Sequence, residues 1–485
     1  MRTDLVCLYL GIIIASVLTS GSPLVRTASD IDSNSEDLPV GRIVERVVCK
    51  DSPDQTYALY LPSNYSSSRS WPLIAAFDPA ARGNAPVESF KEAAERYGYI
   101  VCGSNNSRNG PLAPSTVAAN AMLGDVVARF AIDDKRVYLT GFSGGARVAT
   151  TLAARLAGRV AGVIGCGAGL AEGLEPSSSL PFIYYGTVGN EDFNYSEMRQ
   201  LDRALESAGM AHRVEVFEGT HSWAPPEVCV RAIEWMELQG MKSGRLARDD
   251  SFIDRLFQNA RQSALAHETA GRGYEAYVGY AEIAADFKGL KDTAEFEQKS
   301  ALLRNSKAVK QTLAKERDQE NQERRMAGEL FTLRTRLRNP ATSAGDSEAG
   351  QSGFSDLKSR LADLKHKSEA REGSPERGLA RRVLNQYLIT FLEESRTLIR
   401  TKKYDQAISN LAFDAQFLPD NTGLLYNLTC AYALKGDKRR AIETLNKAVQ
   451  KGFANLAELE RNSQLDTIRE EAGFKKIVED LKQKR

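Results

Sequence analysis

Arg136-Val-Tyr-Leu-Thr140 runs directly into Gly141-Phe142-Ser143-Gly144-Gly145, which runs directly into Ala146-Arg-Val-Ala-Thr-Thr-Leu-Ala-Ala-Arg155. The first segment, with its β-branched and aromatic residues, predicts a strand over Val137–Thr140. The last, rich in Ala and Leu, predicts a helix over Ala146–Leu156. Between them lies G-x-S-x-G. Glycines on both sides of a serine let the backbone reverse sharply enough to hold the hydroxyl clear of the sheet. The helix that follows aims its unpartnered N–H groups at any negative charge developing beside that hydroxyl. The same five letters without a strand before and a helix after are a weak signal.

Working outward, the flanking sequence repeats the strand–helix alternation. Tyr57–Leu61, Leu73–Phe77, Ile100–Cys102, Gly162–Gly165, Phe182–Tyr185 and Val214–Phe217 read as further strands, and Val87–Tyr97, Ser115–Phe130, Ser196–Ala208 and Pro226–Leu238 as helices. Strands alternating with helices of this length predict βαβ units and a mostly parallel sheet. The strands are apolar throughout rather than alternating, as expected when helices cover both faces.

A serine hydroxyl needs a general base, and a histidine base needs a carboxylate to fix its tautomer. The chain has four histidines. His267 and His366 fall in polar helical sequence, and His212 sits at the edge of a strand. His221, in Glu218-Gly-Thr-His221-Ser-Trp223-Ala-Pro-Pro226, follows the last strand and is assigned as the base. The acid is expected after the preceding strand, where Gly189-Asn190-Glu191-Asp192-Phe193-Asn194-Tyr195 offers Asp192 first and Glu191 second; either is also suited to capping the next helix. The oxyanion donors are expected to be the backbone N–H of Gly144 and, from the loop Asp78-Pro79-Ala80, that of Ala80, because proline has none. Phe142, Phe193, Tyr195 and Trp223 flank these residues and are candidates for an acyl pocket or for plain packing. The chemistry calls for neither metal nor cofactor.

On the strength of Arg136-Val-Tyr-Leu-Thr-Gly-Phe-Ser143-Gly-Gly and Gly219-Thr-His221-Ser-Trp223-Ala-Pro, residues 40–242 resemble a compact α/β-hydrolase of the esterase and polyhydroxyalkanoate-depolymerase type. The resemblance implies an acyl-enzyme formed on the serine and released by water. It departs from the family pattern twice. Asp78-Pro79 stands where His-Gly is usual, and the acid loop is longer than Gly-x-x-Asp.

Beyond residue 250 the strand signal stops. Residues 250–338 are a charged helical region, and 339–353 read by composition as a flexible linker. Residues 354–485 read as a helical domain in which Ala407 and Leu411 recur as Ala441 and Leu445, a spacing of 34 residues that resembles tetratricopeptide repeats over about 388–453. Such a region predicts a protein partner or self-association. The charge follows the same division. The whole chain carries 64 Lys and Arg against 63 Asp and Glu, but residues 1–240 sum to −7 and the rest to +8. Neither half has the basic excess of a nucleic-acid binder.

The N-terminus begins Met1-Arg2-Thr3-Asp4, continues uncharged from Leu5 to Leu18 and leaves through small residues. Residues 1–21 therefore read as a secretory signal peptide, followed by a disordered linker over 22–39. Export to a periplasm or the medium is expected, with no stable membrane span after cleavage; the alternative is an uncleaved N-terminal anchor. Cys49, Cys102, Cys166, Cys229 and Cys430 would remain, an odd number with no metal-binding spacing, and buried thiols are the expected state for most. Two functions follow from these readings. One is an exported serine hydrolase acting on a small or polymeric carboxylic ester, with peptidase activity open, joined to an interaction module. The other is a non-catalytic scaffold whose hydrolase-like fold binds and whose repeats recruit.

Overall fold

The computed structural model describes residues 38–338 and 348–483. The stretch read as a signal peptide (1–21), residues 22–37 of the stretch read as a linker after it and residues 339–347 of the expected second linker lie outside the described residues. The described chain divides into two compact units, one ending at Arg317 and the other beginning at Asp318.

The first unit is built on one eight-stranded sheet. Its strands are β1 (Ile43–Cys49), β2 (Ser52–Tyr60), β3 (Trp71–Phe77), β4 (Ile100–Ser104), β5 (Ile132–Phe142), β6 (Gly162–Cys166), β7 (Ile183–Gly189) and β8 (His212–Phe217), in the order β1-β2-β4-β3-β5-β6-β7-β8. β1 and β2 pair antiparallel, as do β2 and β4; every other neighbour is parallel. The helices are α1 (Asn84–Tyr97), α2 (Leu112–Arg129), α3 (Gly144–Arg155), α4 (Tyr195–Ser207) and α5 (Pro226–Lys242). The mostly parallel sheet expected from the sequence is present, with one more strand than the sequence predicts. β1 escaped because it is an edge strand whose Glu45 and Arg46 face solvent, leaving no apolar run.

Helices on both faces explain why the strands carry apolar residues at every position. Leu73, Ala75 and Phe77 of β3 join one core with Met122 and Val126 of α2, Leu152 of α3 and Leu205 of α4. The intervening Ile74 joins a second core with Phe90 of α1 and Ile233 and Met236 of α5. The same split divides Val163 from Ile164 and Tyr184 from Tyr185. Each such Leu, Ile or Val contributes about 1.5–3 kcal/mol by leaving water. A charged residue at Ile74, buried on a strand with neighbours on both sides, would unseat α1.

Three further helices, α6 (Asp250–Thr269), α7 (Gly273–Phe287) and α8 (Ala294–Asn305), belong to this unit although their surface is as charged as the C-terminal half. Leu238 of α5 packs with Ile253, Tyr280, Ile283 and Phe287. Beside that core the buried Asp286 accepts from Trp235 Nε1 at 2.8 Å, Gln239 Nε2 at 3.3 Å and Arg213 Nη2 at 2.5 Å. The change in composition near residue 240 marks the end of the sheet; packing continues to Arg317.

The chain passes into the second unit within α9 (Lys307–Arg338), and α10 (Glu348–Ser368) begins inside the stretch read as linker. α11 (Pro375–Arg400), α12 (Tyr404–Asp414), α13 (Thr422–Lys435), α14 (Lys438–Gln450), α15 (Leu456–Arg461) and α16 (Ala472–Gln483) complete it, with a 3₁₀ turn at Ser463–Ile468. Ala407 and Leu411 of α12 and their counterparts Ala441 and Leu445 of α14 are all fully buried. Inside this unit Arg334 forks onto Asp414 at 2.7 and 2.6 Å and lies 3.3 Å over the Phe391 ring. The pair is buried and hydrogen-bonded on both sides, so removing either partner alone would cost about 3–5 kcal/mol. Among the described residues no helix is long and apolar enough to cross a membrane.

Candidate active site

β5 lies between β3 and β6 and delivers Ser143 at its carboxyl end. Ser143 has φ 53° and ψ −123°, one of three positive-φ residues other than glycine among those described. Backbone held there costs about 1–3 kcal/mol and persists only where its surroundings impose it. Here they do: Ser143 N donates to Cys166 O at 2.8 Å, and Ala146 N closes onto Ser143 O at 2.9 Å. The glycines are required by close approach. A Cβ on Gly141 would collide with the Gly145 carbonyl, and one on Gly145 with the Phe77 carbonyl of β3. As the first residue of α3, Gly144 has an N–H without an intrahelical partner.

The neighbouring strands bring the other residues to the same edge of the sheet. The loop after β7 carries Asp192 and the loop after β8 carries His221. The two loops are laced together by Asn190 N to Phe217 O at 2.8 Å, Glu191 N to Gly219 O at 2.9 Å and Gly219 N to Asn190 Oδ1 at 3.1 Å. It is the Asp192 carboxylate that meets His221 Nδ1, at 2.8 and 2.9 Å. Asp192 is wholly buried and its partner 19% exposed, so the pair is shielded on the acid side and open on the other. Glu191, the second candidate, contributes its backbone to the lacing.

Three residues for which the sequence suggests no role beside the pair complete its surroundings. Asn194 donates its N–H to Asp192 Oδ1 at 2.8 Å and its Nδ2 to Gly167 O at 2.7 Å. Gly167, at φ 61°, lies under the ion pair; a Cβ there would sit 3.0 Å from Asp192 Oδ2, 3.1 Å from the Phe142 ring and 3.2 Å from His221 Nδ1. The wholly buried Asp78 accepts from Trp223 Nε1 at 2.9 Å and from the Arg82 guanidinium at 2.9 and 3.0 Å. It ties the loop after β3 to the loop that carries His221. Asp78 shows in the sequence as the departure from His-Gly, and Asn194 as a short polar side chain two residues past an aspartate in a turn.

The flanking aromatics divide. The His221 ring lies between Phe193 and Phe142, with centroids at 4.1 and 4.5 Å, and Trp223 packs on Phe142 at 5.9 Å. Tyr195 opens α4 and packs against the apolar core. The other histidines are engaged elsewhere. His212 is half-buried, its Nδ1 paired with Met210 O at 2.8 Å and its Nε2 3.4 Å from Asp202, rather than solvated at the strand edge. His267 accepts from Arg272 Nε at 2.9 Å, and His366 is exposed on α10.

The oxyanion expectation for Ala80 needs correction. Its N–H is turned onto Asp78 Oδ1 at 2.8 Å. The cause is the departure already visible in the sequence: an aspartate buried at the start of this loop must gather donors, and it takes the nearest. The rest of the loop is likewise engaged, with Ala81 N on Asp78 O at 3.2 Å, Arg82 N on Asp78 Oδ1 at 3.3 Å and Gly83 N on Asn105 Oδ1 at 3.1 Å.

The five described cysteines are free and buried. Burial pushes Cys49 up to about 11 and Cys430 up to about 12, which leaves little thiolate at neutral pH. Among the described residues no cluster of three or more His, Cys, Asp or Glu could hold a metal ion.

No family model and no curated protein matches the sequence. Among solved structures the chain is similar to the feruloyl esterase module from Clostridium thermocellum complexed with sinapinate, at 15% identity over 38% of this chain and 83% of that one, with a TM-score of 0.32. It is similar also to a thermophilic esterase from the Planctomycetes species Thermogutta terrifontis with butyrate bound, at 15% identity over 42% and 96%, TM-score 0.33. A hyperthermophilic esterase from the archaeon Pyrobaculum calidifontis matches at 13% identity over 42% and 87%, TM-score 0.34.

Proposed function

We propose that the chain is a serine hydrolase acting on carboxylic esters, with Ser143 as nucleophile, His221 as general base and Asp192 as its orienting acid. One observation carries the reading. The one serine with a positive φ among the described residues stands on the same sheet edge as a histidine whose Nδ1 is paired with a buried carboxylate. In an open parallel sheet that edge, outside the carboxyl ends of the strands, is where ligands bind.

Holding the proton on Nδ1 leaves Nε2 as the basic nitrogen. Nε2 takes the Ser143 proton as Oγ attacks the ester carbonyl, and the Gly144 N–H receives the negative charge that moves onto the carbonyl oxygen. Collapse expels the alcohol, which takes the proton from Nε2 and leaves an acyl group on Oγ. Water then attacks with His221 again as base, releasing the acid and restoring the serine. Asp192 stabilises the imidazolium in both halves.

The test is turnover of short-chain, aromatic and polymeric esters and a peptide by the purified chain, beside Ser143→Ala and His221→Ala. The reading expects ester turnover that falls by about 10⁶ in either variant, with unchanged circular dichroism. Ester turnover that survives Ser143→Ala overturns it, and a folded wild-type chain without hydrolase activity moves the assignment to the binding scaffold.

The second unit we propose to be a tetratricopeptide-like interaction module. The buried Ala407, Leu411, Ala441 and Leu445 at a spacing of 34 residues support this. Light scattering of the full chain distinguishes self-association from a separate partner. Export rests on the apolar run Leu5–Leu18, and N-terminal sequencing of the mature protein tests it, with cleavage expected near residue 21.

A further inference from the structure

Ser143 chemistry needs more than one donor for the oxyanion, and the loop expected to supply the second has none to give: every N–H from Ala80 to Gly83 is already engaged. The adjoining loop after β4 offers another group. It runs beside the first, with Ala80 and Arg108 bridged antiparallel and Asn109 N donating to Pro79 O at 2.8 Å. Its backbone is pinned by Ser115 Oγ, which accepts from Arg108 N at 3.3 Å and donates to Arg108 O at 3.1 Å. This places the Asn109 side chain against Gly144. A Cβ built on Gly144 would fall onto Asn109 Oδ1, with Nδ2 3.5 Å away. The Asn109 carboxamide thus fills the space of the side chain that Gly144 lacks, beside the residue whose N–H is the first oxyanion donor. Asn109 is exposed, and its carboxamide makes no hydrogen bond among the described residues.

Resting on the serine-hydrolase reading, we infer that Asn109 is a catalytic residue that supplies the second oxyanion donor from its side chain rather than from a backbone amide. The two ends of a carboxamide are nearly identical in shape, and a half-turn about χ2 exchanges Oδ1 and Nδ2. With no hydrogen bond to break, negative charge beside Gly144 N draws Nδ2 toward itself. The pinned backbone limits how far the donor must move, and preorganised donors are the effective ones. The loop's buried Asp78 and the free Asn109 are then two parts of one arrangement. The aspartate takes the N–H groups of Ala80, Ala81 and Arg82 in its own loop, and the neighbouring loop supplies the donor instead.

The test measures kcat and KM for p-nitrophenyl butyrate in wild type, Asn109→Ala and Asn109→Asp, with thermal melts of all three. Loss of one oxyanion donor lowers kcat by about 10²–10³. The expected result is a fall of that size in Asn109→Ala, with KM and melting temperature nearly unchanged because the side chain supports no other contact. Asn109→Asp has the same shape but places charge or an acceptor at the oxyanion, so it should be no better than alanine. If alanine keeps wild-type kcat, or aspartate restores it, the assignment of Asn109 falls while the serine hydrolase stands. If wild type itself does not turn over the ester, both fall together.

Discussion

Asp192→Asn is the substitution whose outcome the site geometry specifies most fully. Asp192 Oδ1 accepts the Asn194 N–H at 2.8 Å, and both carboxylate oxygens face His221 Nδ1, Oδ1 at 2.8 Å and Oδ2 at 2.9 Å. In the asparagine variant the Asn194 donor requires a carbonyl oxygen at the Oδ1 position, which puts the NH₂ group at the Oδ2 position. Two N–H groups cannot face each other at the 2.9 Å that separates that position from His221 Nδ1, so Nδ1 becomes the acceptor and the ring proton moves to Nε2. The base then points an N–H at the serine it should deprotonate. The wrong tautomer in an intact geometry costs about 10⁴ in kcat, about 5.4 kcal/mol of barrier. The fold should lose little, since the Asn194 bond survives and a neutral hydrogen bond replaces a charged one at about 1–2 kcal/mol. Steady-state hydrolysis of p-nitrophenyl butyrate with a parallel thermal melt reads both quantities, and Glu191→Gln serves as control at near wild-type rate. A variant that keeps more than a tenth of wild-type kcat, or a larger loss in Glu191→Gln, would refute the assignment of the acid.

Three more perturbations follow from the packing. Gly145→Ala drives a Cβ into the Phe77 carbonyl, and because both sides are backbone, α3 must lift from β3; the expected cost is at least about 3 kcal/mol, read as a fall of roughly 6–12 °C in melting temperature, and a melt within 2 °C of wild type would sink the close-packing explanation. Gly167→Ala pays about 1–2 kcal/mol for a left-handed backbone and presses on Asp192 and His221 at 3.0 and 3.2 Å; kcat should fall by about 10²-fold with the displaced pair, and unchanged turnover would show that the pair tolerates the intrusion. His212 titrates higher than an ordinary histidine. Burial alone would lower it, but Asp202 and the Met210 carbonyl favour the protonated ring and outweigh burial. A raised folded value means stabilisation that is full below about pH 6.5 and lost as pH rises through the folded value. The melting temperature of His212→Gln should therefore trail wild type at pH 5.5 and converge on it at pH 8.5, whereas an equal gap at both pH values contradicts the pairing.

What was legible in the sequence was what steric necessity or scarcity writes there. Gly141 and Gly145 flank Ser143 because a Cβ at either would collide with backbone, so the elbow shows as a spelling. His221 stands out because only four histidines exist and three sit in sequence of another character. Asp192 could be placed in its loop but not separated from Glu191, since which adjacent carboxylate turns inward depends on how the loop is laced to Phe217 and Gly219. Ala80 was misread because the demand of Asp78 for donors appears only when burial is known. Asn109 left no sign: an exposed asparagine in a Gly- and Pro-rich loop looks like any turn residue. Composition also placed the change of character near residue 240 and could not show that α6 to α8 pack on α5, because charge describes the surface of those helices while Leu238, Tyr280 and Asp286 hold them from within.

The most direct test of the central claim is peptide mapping of the purified chain after treatment with a fluorophosphonate. The account predicts a single phosphonyl adduct, on Ser143, formed in wild type and absent in His221→Ala under the same exposure. A folded chain that stays unmodified, or one modified at another serine while Ser143 remains free, would contradict it.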